Sequence, residues 1–554
     1  MGSKKTPVAA SIAEIREKHG LLSMDRHRIM RVPLLVKGRL RVPELVDIKK
    51  IKAAFAAKQK TQSLSHPAPT HVYLENVQVL REPLVDRQRL SPTGEYAYSV
   101  LPRFTAAEVM EYDLSRLAEG LYALPFSAVT DFVGALREAM RQSSGCIADI
   151  RDITRQTAEL PDFWHDAGFL AFDPLLDPEG IRLMADHDLC AWGIPGTHFL
   201  DGWVDLPGAP VTPAPVQILA DSIFGGQGHA WKPRVPQMRA MPTRQLHITA
   251  GNAPQIPFFS ALRAIATKSA AVIKSPYGAT MPGAILALAA LAAMPEHPIT
   301  QNLSIVYWPG GDESIEAPFF SPGAFDRIIV WGAPEAVASV KQRAVLSKVL
   351  TFNPRYGVSF IGREAFKEKD LLPIAIKAAR DSLVANQKAC IASQIHYVEG
   401  TPEQAGRYAG VLQKVLAGFD QAAPNYIAPQ VKGDILRLQR GVLVDGDWYV
   451  NKRDGFFCSG VVVAAREFPL TSLTMSRMIV VRPVQDLAEA LTYLHHGVST
   501  VSLYPSSRRL ALRDRIAARG VSNLLDLGQS GSGFAGQSHD GMMVLTELVD
   551  WKNG

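Results

Sequence analysis

The clearest pattern of apolar and polar positions begins at Leu246. Residues 246–251 read as a strand ending in a glycine turn, and 255–267 as a helix. Ala270 to Lys274 read as a second strand, 281–294 as a second helix, and 303–307 and 327–331 as further strands, with a helix from Pro334 onward. Short apolar strands alternating with helices predict parallel βαβ units. Ligands of such sheets sit beyond the strand carboxyl ends, where Asn252, Lys274, Pro309-Gly310-Gly311 and Gly332 fall. A helix over 371–384 then leads to Cys390 in a loop or turn. Upstream the pattern is weaker. Residues 11–19 form a charged helix, and the run Val32–Val36, interrupted by Pro33 and ended by Lys37-Gly38, predicts an edge strand and turn. Residues 72–80 and 96–101 read as strands, 106–140 as helices, and the Pro/Gly-dense 193–236 as a winding connection.

Length changes this picture to one of two or three domains, since 554 residues exceed one ordinary core. The 47% hydrophobic and 20% charged content is that of a folded soluble chain. Four scattered cysteines without a CxxC pair exclude a zinc ribbon and a disulfide framework, and with no secretory signal pattern the expected compartment is the cytoplasm. No apolar run is long enough to span a bilayer. The net charge of +6 is uneven: residues 1–60 hold 15 Lys and Arg against 5 Asp and Glu, while the remainder holds 44 against 48. A basic arm of this kind could meet nucleic acid or a membrane surface, but it lacks the interleaved aromatics of a single-strand binder. The expectation is a solvated arm, or one packed on a partner subunit, with no nucleic acid bound.

Cys390 is the first candidate for chemistry, because a thiolate attacks acyl carbons well. A lone cysteine is usually structural, and that reading is kept for Cys458, and for Cys146 and Cys190 as small buried hydrophobes. Attack on a carbonyl needs oxyanion donors, and Asn252 offers a side-chain amide at a strand-end turn; the competing reading is a turn former. Lys274 could hold ribose or phosphate, or simply reach solvent. No GxSxG, Walker A or HExxH pattern occurs, and no metal site is expected. A GxGxxG match at Gly531, Gly533 and Gly536 has only 18 residues after it, too few for a βαβ unit.

The stretches Thr249-Ala250-Gly251-Asn252-Ala253-Pro254, Ala271-Val272-Ile273-Lys274-Ser275-Pro276 and Asn386-Gln387-Lys388-Ala389-Cys390 together resemble the aldehyde dehydrogenase superfamily, and most of all its LuxC-type acyl-CoA reductase branch. Glu467-Phe468-Pro469 loosely resembles the superfamily's Glu-x-Phe motif, and His539-Asp540-Gly541 the LuxC-type tail. The resemblance implies an α/β fold with a Rossmann-type parallel-sheet nucleotide domain and an α/β catalytic domain. It divides the chain into a basic arm (1–75), a nucleotide-binding domain (76–362), a catalytic cysteine domain (363–535) and a tail (536–554).

It also implies an acyl-enzyme cycle on a small-molecule acyl-CoA. Cys390 would attack the coenzyme A thioester, with Asn252 and the Cys390 N–H stabilising the oxyanion. NADPH, or alternatively NADH, would reduce the acyl-enzyme to an aldehyde. Lys274 is expected at the adenosine ribose and Glu467 at the nicotinamide ribose, with Ser275 and Gly332 also binding the cofactor, Gly332 on the nicotinamide side. Two departures from oxidising relatives bear on direction. No Asp or Glu lies between Glu335 and Glu364, where those relatives carry a water-activating Glu. Tyr277 stands where NAD-preferring relatives carry a ribose-binding Glu, which favours NADP. Relatives are usually dimers or tetramers, so a homo-oligomer is implied. Two rivals remain: an acylating or simple aldehyde dehydrogenase running oxidatively, and a non-catalytic binding protein docking through its basic arm.

Overall fold

The computed structural model describes residues 10–554 apart from 62–68, 88–90, 112, 210, 225–233, 368–370, 426–428, 443–445, 454 and 465–475. The first large sheet is organised around strand Arg244–Ile248. Ala270–Lys274 and then Leu303–Val306 lie on one side of it, and Arg327–Trp331 and then Lys348–Phe352 on the other, all parallel. The strand order therefore reverses at Arg244–Ile248, which opens a crevice at the carboxyl ends of its two flanks. The four strands inside Lys348–Phe352 are mostly buried, as befits a sheet covered on both faces, while Lys348–Phe352 itself is partly exposed. Helix Thr280–Ala293 is apolar around its whole circumference because it lies between the sheet and helices Phe126–Gln142 and Ile12–His19.

Leu34–Val36 and Arg39–Arg41 extend this sheet antiparallel beyond Leu303–Val306. Leu34–Val36 is thus an inner strand, and Arg39–Arg41 is the edge. The expectation of a solvated or partner-bound basic arm does not hold for residues 10–61. Ile12, Leu21, Leu22 and Val32 are buried in the main core, and Ile51 and Phe55 pack on a smaller sheet formed by His71–Leu74, Val77–Asp86, Ser91–Pro102 and Ile29–Arg31. The basic side chains find acidic partners in the body: Arg16–Asp149 (3.3 Å), Lys37–Glu111 (3.4 Å) and Arg41–Glu108 (2.6 Å).

The chain crosses to the second large sheet through residues 353–355. Its central strand, Tyr356–Ile361, lies between Ser393–Glu399 and Val498–Tyr504; Met478–Val484 and Phe456–Ala464 continue one side and Asn523–Asp526 the other, all parallel. Gly446–Arg453 closes one edge antiparallel. Helices Leu372–Ser382 and Pro402–Ala422 cover one face, and Leu487–Ala490 and Arg509–Ala517 the other. The Gly-rich tail returns to the core of the first half, where its last strand, Asp550–Asn553, pairs with Gln237–Met241 in a separate three-stranded sheet with Val204–Asp205. Among the described residues no helix is long and apolar enough to cross a membrane.

Candidate active site

Asn252, Lys274 and Gly332 leave three neighbouring strands at one edge, because Ile248 is in register with Lys274 on one side and Val330 on the other. The Lys274 carbonyl ties the first of these turns down by accepting from the Thr249 hydroxyl at 2.6 Å. Its ammonium stands over the rings of Trp308 (5.1 Å) and Tyr307 (5.7 Å), and burial lowers its pKa to about 8 against the pull of Glu316. Ser275 is buried and turned toward helix Thr280–Ala293; a Cβ at Gly283 would come within 2.3 Å of its hydroxyl. Gly332 follows Trp331 directly and faces Ala336. Glu467 lies outside the described residues.

Cys390 comes after a turn whose backbone is costly. Ala385, Asn386 and Gln387 all have positive φ (46°, 56° and 68°), a conformation that L-residues adopt at a penalty. Buried side chains hold it. The Asn386 amide oxygen accepts from Arg477 Nε at 2.7 Å, and its nitrogen donates to Asn425 at 2.7 Å. The Gln387 side chain donates to the Met478 carbonyl (2.9 Å) and accepts from the Met478 N–H (3.1 Å). Arg477 is itself anchored by Asp420 at 2.8 Å. On the far side of the turn the Ser499 hydroxyl donates to the Cys390 carbonyl at 2.6 Å.

The two halves meet here: Asn252 Nδ2 donates to the Lys388 carbonyl, two residues before the thiol, at 3.4 Å. Beside this contact a cavity of about 350 Å³ is lined by Asn252, Lys388, Tyr277, His165, Glu82 and Phe169 among others. Tyr277 is also tied back, donating to the Arg81 carbonyl at 2.6 Å. The Cys390 thiol is half-buried, and burial followed by the charge of Asp540 pushes its pKa up to about 11; its own backbone N–H and Arg355 act the other way. Asp540 pairs with Arg355 at 3.7 Å. Arg355 lies in the crossing segment that carries no acidic residue, so the carboxylate acting on the thiol comes from the tail. Sequence reasoning noted His539-Asp540-Gly541 only as a resemblance, because nothing in its spacing ties it to a cysteine so far upstream. Of the other cysteines, Cys458 is buried, Cys146 is half-buried, and Cys190 is exposed rather than a buried hydrophobe.

A doubly wound parallel sheet joined to a second parallel sheet that carries the half-buried Cys390 turn gives an aldehyde dehydrogenase-like fold. The structure resembles aldehyde dehydrogenase from Bartonella henselae (TM-score 0.62, 13% identity, covering 94% of this chain and 98% of that one). It also resembles aldehyde dehydrogenase C from Pseudomonas syringae, determined with NAD+ and octanal (TM-score 0.64, 11% identity, covering 96% and 98%). The LuxC family model, described as acyl-CoA reductase, matches residues 230–551, more than half of the chain. The protein belongs to this family of oxidoreductases, which act on acyl thioesters and aldehydes. Long-chain acyl-protein thioester reductases from Photorhabdus laumondii (28% identical over 343 residues, 59% of this chain and 68% of the relative) and Aliivibrio fischeri (29% over 332 residues, 58% and 66%) are similar to it. The match spans about two thirds of the length of each.

Proposed function

We propose that the chain reduces an acyl thioester to an aldehyde and a free thiol, using NADPH, through a covalent acyl-Cys390. The observation that carries this reading is the approach of Asn252 to the turn that presents Cys390. A thioester carbonyl beside the sulfur would have the Asn252 amide and the Cys390 N–H as oxyanion donors. The strained turn fixes the sulfur relative to both, so little reorganisation is needed at attack. Bound in the crevice, the dinucleotide would supply hydride to the acyl-enzyme. Lys274, Ser275 and Gly332 would hold it, with Glu467 the expected ribose partner. The Lys274 ammonium stands over aromatic rings with Glu316 acting on its charge, and the neighbouring Tyr277 brings no carboxylate toward a 2′-phosphate. Both fit NADPH.

The acyl donor is coenzyme A by the family description, while the similar curated proteins carry names that specify acyl-protein thioesters. The test is NADPH oxidation with a panel of acyl-CoAs and with an acylated carrier protein, combined with mass spectrometry of the Cys390 peptide. The expected result is stoichiometric aldehyde and free thiol from at least one donor class, with an acyl adduct on Cys390 when NADPH is withheld. Formation of carboxylic acid from an aldehyde and NADP+ without coenzyme A would point instead to the oxidative rival. Unimpaired turnover by Cys390→Ala would rule out the covalent route.

A further inference from the structure

Two cavities border one face of helix Ser144–Arg155. The first is the cavity of about 350 Å³ beside Asn252 and Lys388, which Thr154 and Thr157 also line. The second, of about 320 Å³, is lined on the same helix by Ser144, Ile147, Ala148 and Arg151. These positions recur every three or four residues, so one face of the helix and of the turn after it runs past both. Phe169 lines both cavities and packs between His165 and Phe172, with ring centres 5.0 and 5.1 Å away. From Ile147 to Thr157 the face extends about 15 Å at the rise of a helix. Lys274, Ser275 and Gly332 line neither cavity, so this groove and the proposed cofactor edge are separate surfaces that meet at Asn252.

The two ends of the groove differ in chemistry. The first cavity is polar but poor in free charge. The Thr154 hydroxyl donates to the Ile150 and Arg151 carbonyls at 2.9 and 2.8 Å, and the Thr157 hydroxyl to the Thr154 carbonyl at 3.4 Å. Their oxygens are left to accept from an occupant. Glu82 and His165 are buried, and Ser99 donates to one Glu82 oxygen at 2.8 Å. Burial disfavours charge on both side chains, raising the Glu82 pKa and lowering that of His165 to about 4. The other charged residues lining this cavity, Lys388 and Glu159, pair with each other at 3.7 Å. The second cavity has an apolar floor that includes Met140, Ile147, Phe172 and Leu176, with Arg137, Arg141 and Arg151 beside a single lining carboxylate, Asp173. Arg141 reaches Asp173 through Nε and Nη2 at 2.6 and 3.1 Å, and Arg151 reaches Asp152 through the same two atoms at 3.1 and 3.0 Å, with Asp166 a further 3.6 Å from its Nε. Each guanidinium therefore keeps its Nη1 edge for another anion.

We propose that this groove binds the phosphopantetheine arm of the acyl donor, with its thioester at Asn252, its amides in the first cavity, and its dimethyl carbon and phosphate in the second. The inference rests on the reading above for the reaction. From sulfur to phosphorus the arm has about 13 bonds, the backbone of about four extended residues and hence about 15 Å, which matches the helix face. Its order of polarity matches too: uncharged amides near the sulfur, then a branched hydrocarbon, then an anion. Amides replace the hydrogen bonds that Thr154, Thr157, Glu82 and His165 would otherwise make to water, and guanidinium edges suit a phosphate. An acyl chain laid along the groove would meet the polar groups first, stripping their water without replacing its bonds, and would reach apolar walls only beyond Phe169. Coenzyme A and an acylated carrier protein both present this arm, so one groove serves either donor class.

The experiment places one acyl group on coenzyme A, on a carrier protein, on pantetheine without its phosphate, and on N-acetylcysteamine, which keeps only the first amide. The readout is kcat/KM for NADPH-dependent reduction, taken as ratios between donors in one preparation, so partial misfolding of a variant does not imitate the effect. In the parent the phosphorylated donors should exceed pantetheine by about tenfold or more, and N-acetylcysteamine should lie about tenfold lower again. Arg141→Gln combined with Arg151→Gln should remove most of the phosphate step. Ala148→Trp, which fills the second cavity, should bring the phosphorylated donors down toward N-acetylcysteamine. A phosphate step seen with only one of the two phosphorylated donors supports the site and names the source of the arm. Ratios that move in neither variant overturn the proposal. So does an Ala148→Trp enzyme that loses long acyl groups relative to short ones on a single donor, which assigns the groove to the acyl chain. Calorimetric titration with phosphopantetheine and with pantetheine separates this failure from that of the reaction. A parent that reduces no thioester but binds phosphopantetheine about tenfold more tightly than pantetheine overturns the function proposed above and leaves the groove assigned. A parent that reduces thioesters without that preference overturns the groove alone, and one that does neither overturns both.

Discussion

On the first sheet, Asn252, Lys274 and Gly332 leave the ends of three adjacent strands with ordinary backbone angles. On the second, Cys390 follows three consecutive left-handed residues, none of them glycine. The proposed cofactor side of the site is thus placed by main-chain topology, a by-product of any doubly wound sheet. The thiol side is placed by buried polar side chains, namely Arg477, Asn386, Gln387 and Asn425, that hold an otherwise unfavourable turn. The first arrangement tolerates change at individual side chains. The second concentrates its stability in a few of them.

Substitutions can break this contrast, and the largest effect is expected at the thiol. Cys390→Ala should lower thioester reduction by more than about 10³-fold and abolish the acyl adduct, as checked by NADPH oxidation and mass spectrometry. Next comes Arg477→Ala, which leaves Asp420 buried without its cation and Asn386 without its donor. A loss of about 3–5 kcal/mol is expected in urea unfolding, whereas Lys274→Ala should cost far less. Asn252→Ala should lower kcat by about 10²–10³-fold through the lost oxyanion donor, with unfolding nearly unchanged because the side chain is exposed.

Two pH effects sharpen the comparison. Lys274 keeps its charge below its pKa of about 8, so the KM for NADPH should rise by up to about tenfold over the next pH unit, and Lys274→Met should flatten the profile. Each large sheet also buries one neutral histidine. His247 is bonded to Ser260 (2.8 Å) and Gln245 (2.9 Å), and His396 to Ser382 and Tyr408 (both 2.9 Å). Burial lowers both pKa values to about 3 from an ordinary 6.5. Below pH 6.5 only the unfolded chain takes up these protons, so stability is full above that value and declines toward pH 3. The loss is about 1 kcal/mol per histidine over the first pH unit, measured by urea unfolding, and replacing either histidine should remove its own share.

How much of this was legible in the sequence follows the same division. The strands Ala270–Lys274 and Arg327–Trp331 lie where their apolar runs place them, and the parallel order follows from the alternation with helices. The edge where Asn252, Lys274 and Gly332 leave the strands could therefore be named in advance. The N-terminal segment was harder to read because charge counts do not show where partners lie. Glu108, Glu111 and Asp149, which take its basic side chains, are remote in sequence. Residues 72–80 read as one strand, yet the chain turns at Glu75-Asn76 and makes a hairpin of two. Cys390 could be singled out by its polar setting, but the strain before it could not. Ala385, Asn386 and Gln387 carry no local signal for positive φ; the conformation is imposed by Arg477 and Met478, some 90 positions away. The Arg355–Asp540 pair was hidden for the same reason, since it joins the tail to a segment remote in sequence.

That tail has a mechanical consequence. It is fastened at Asp381 beside the second sheet and at Asp188 beside the first, and only a short length of chain runs between the two points. A strap so short and so firmly tied limits how far the two halves can swing apart. Cutting the strap should loosen the attachment of the two halves before it unfolds either sheet.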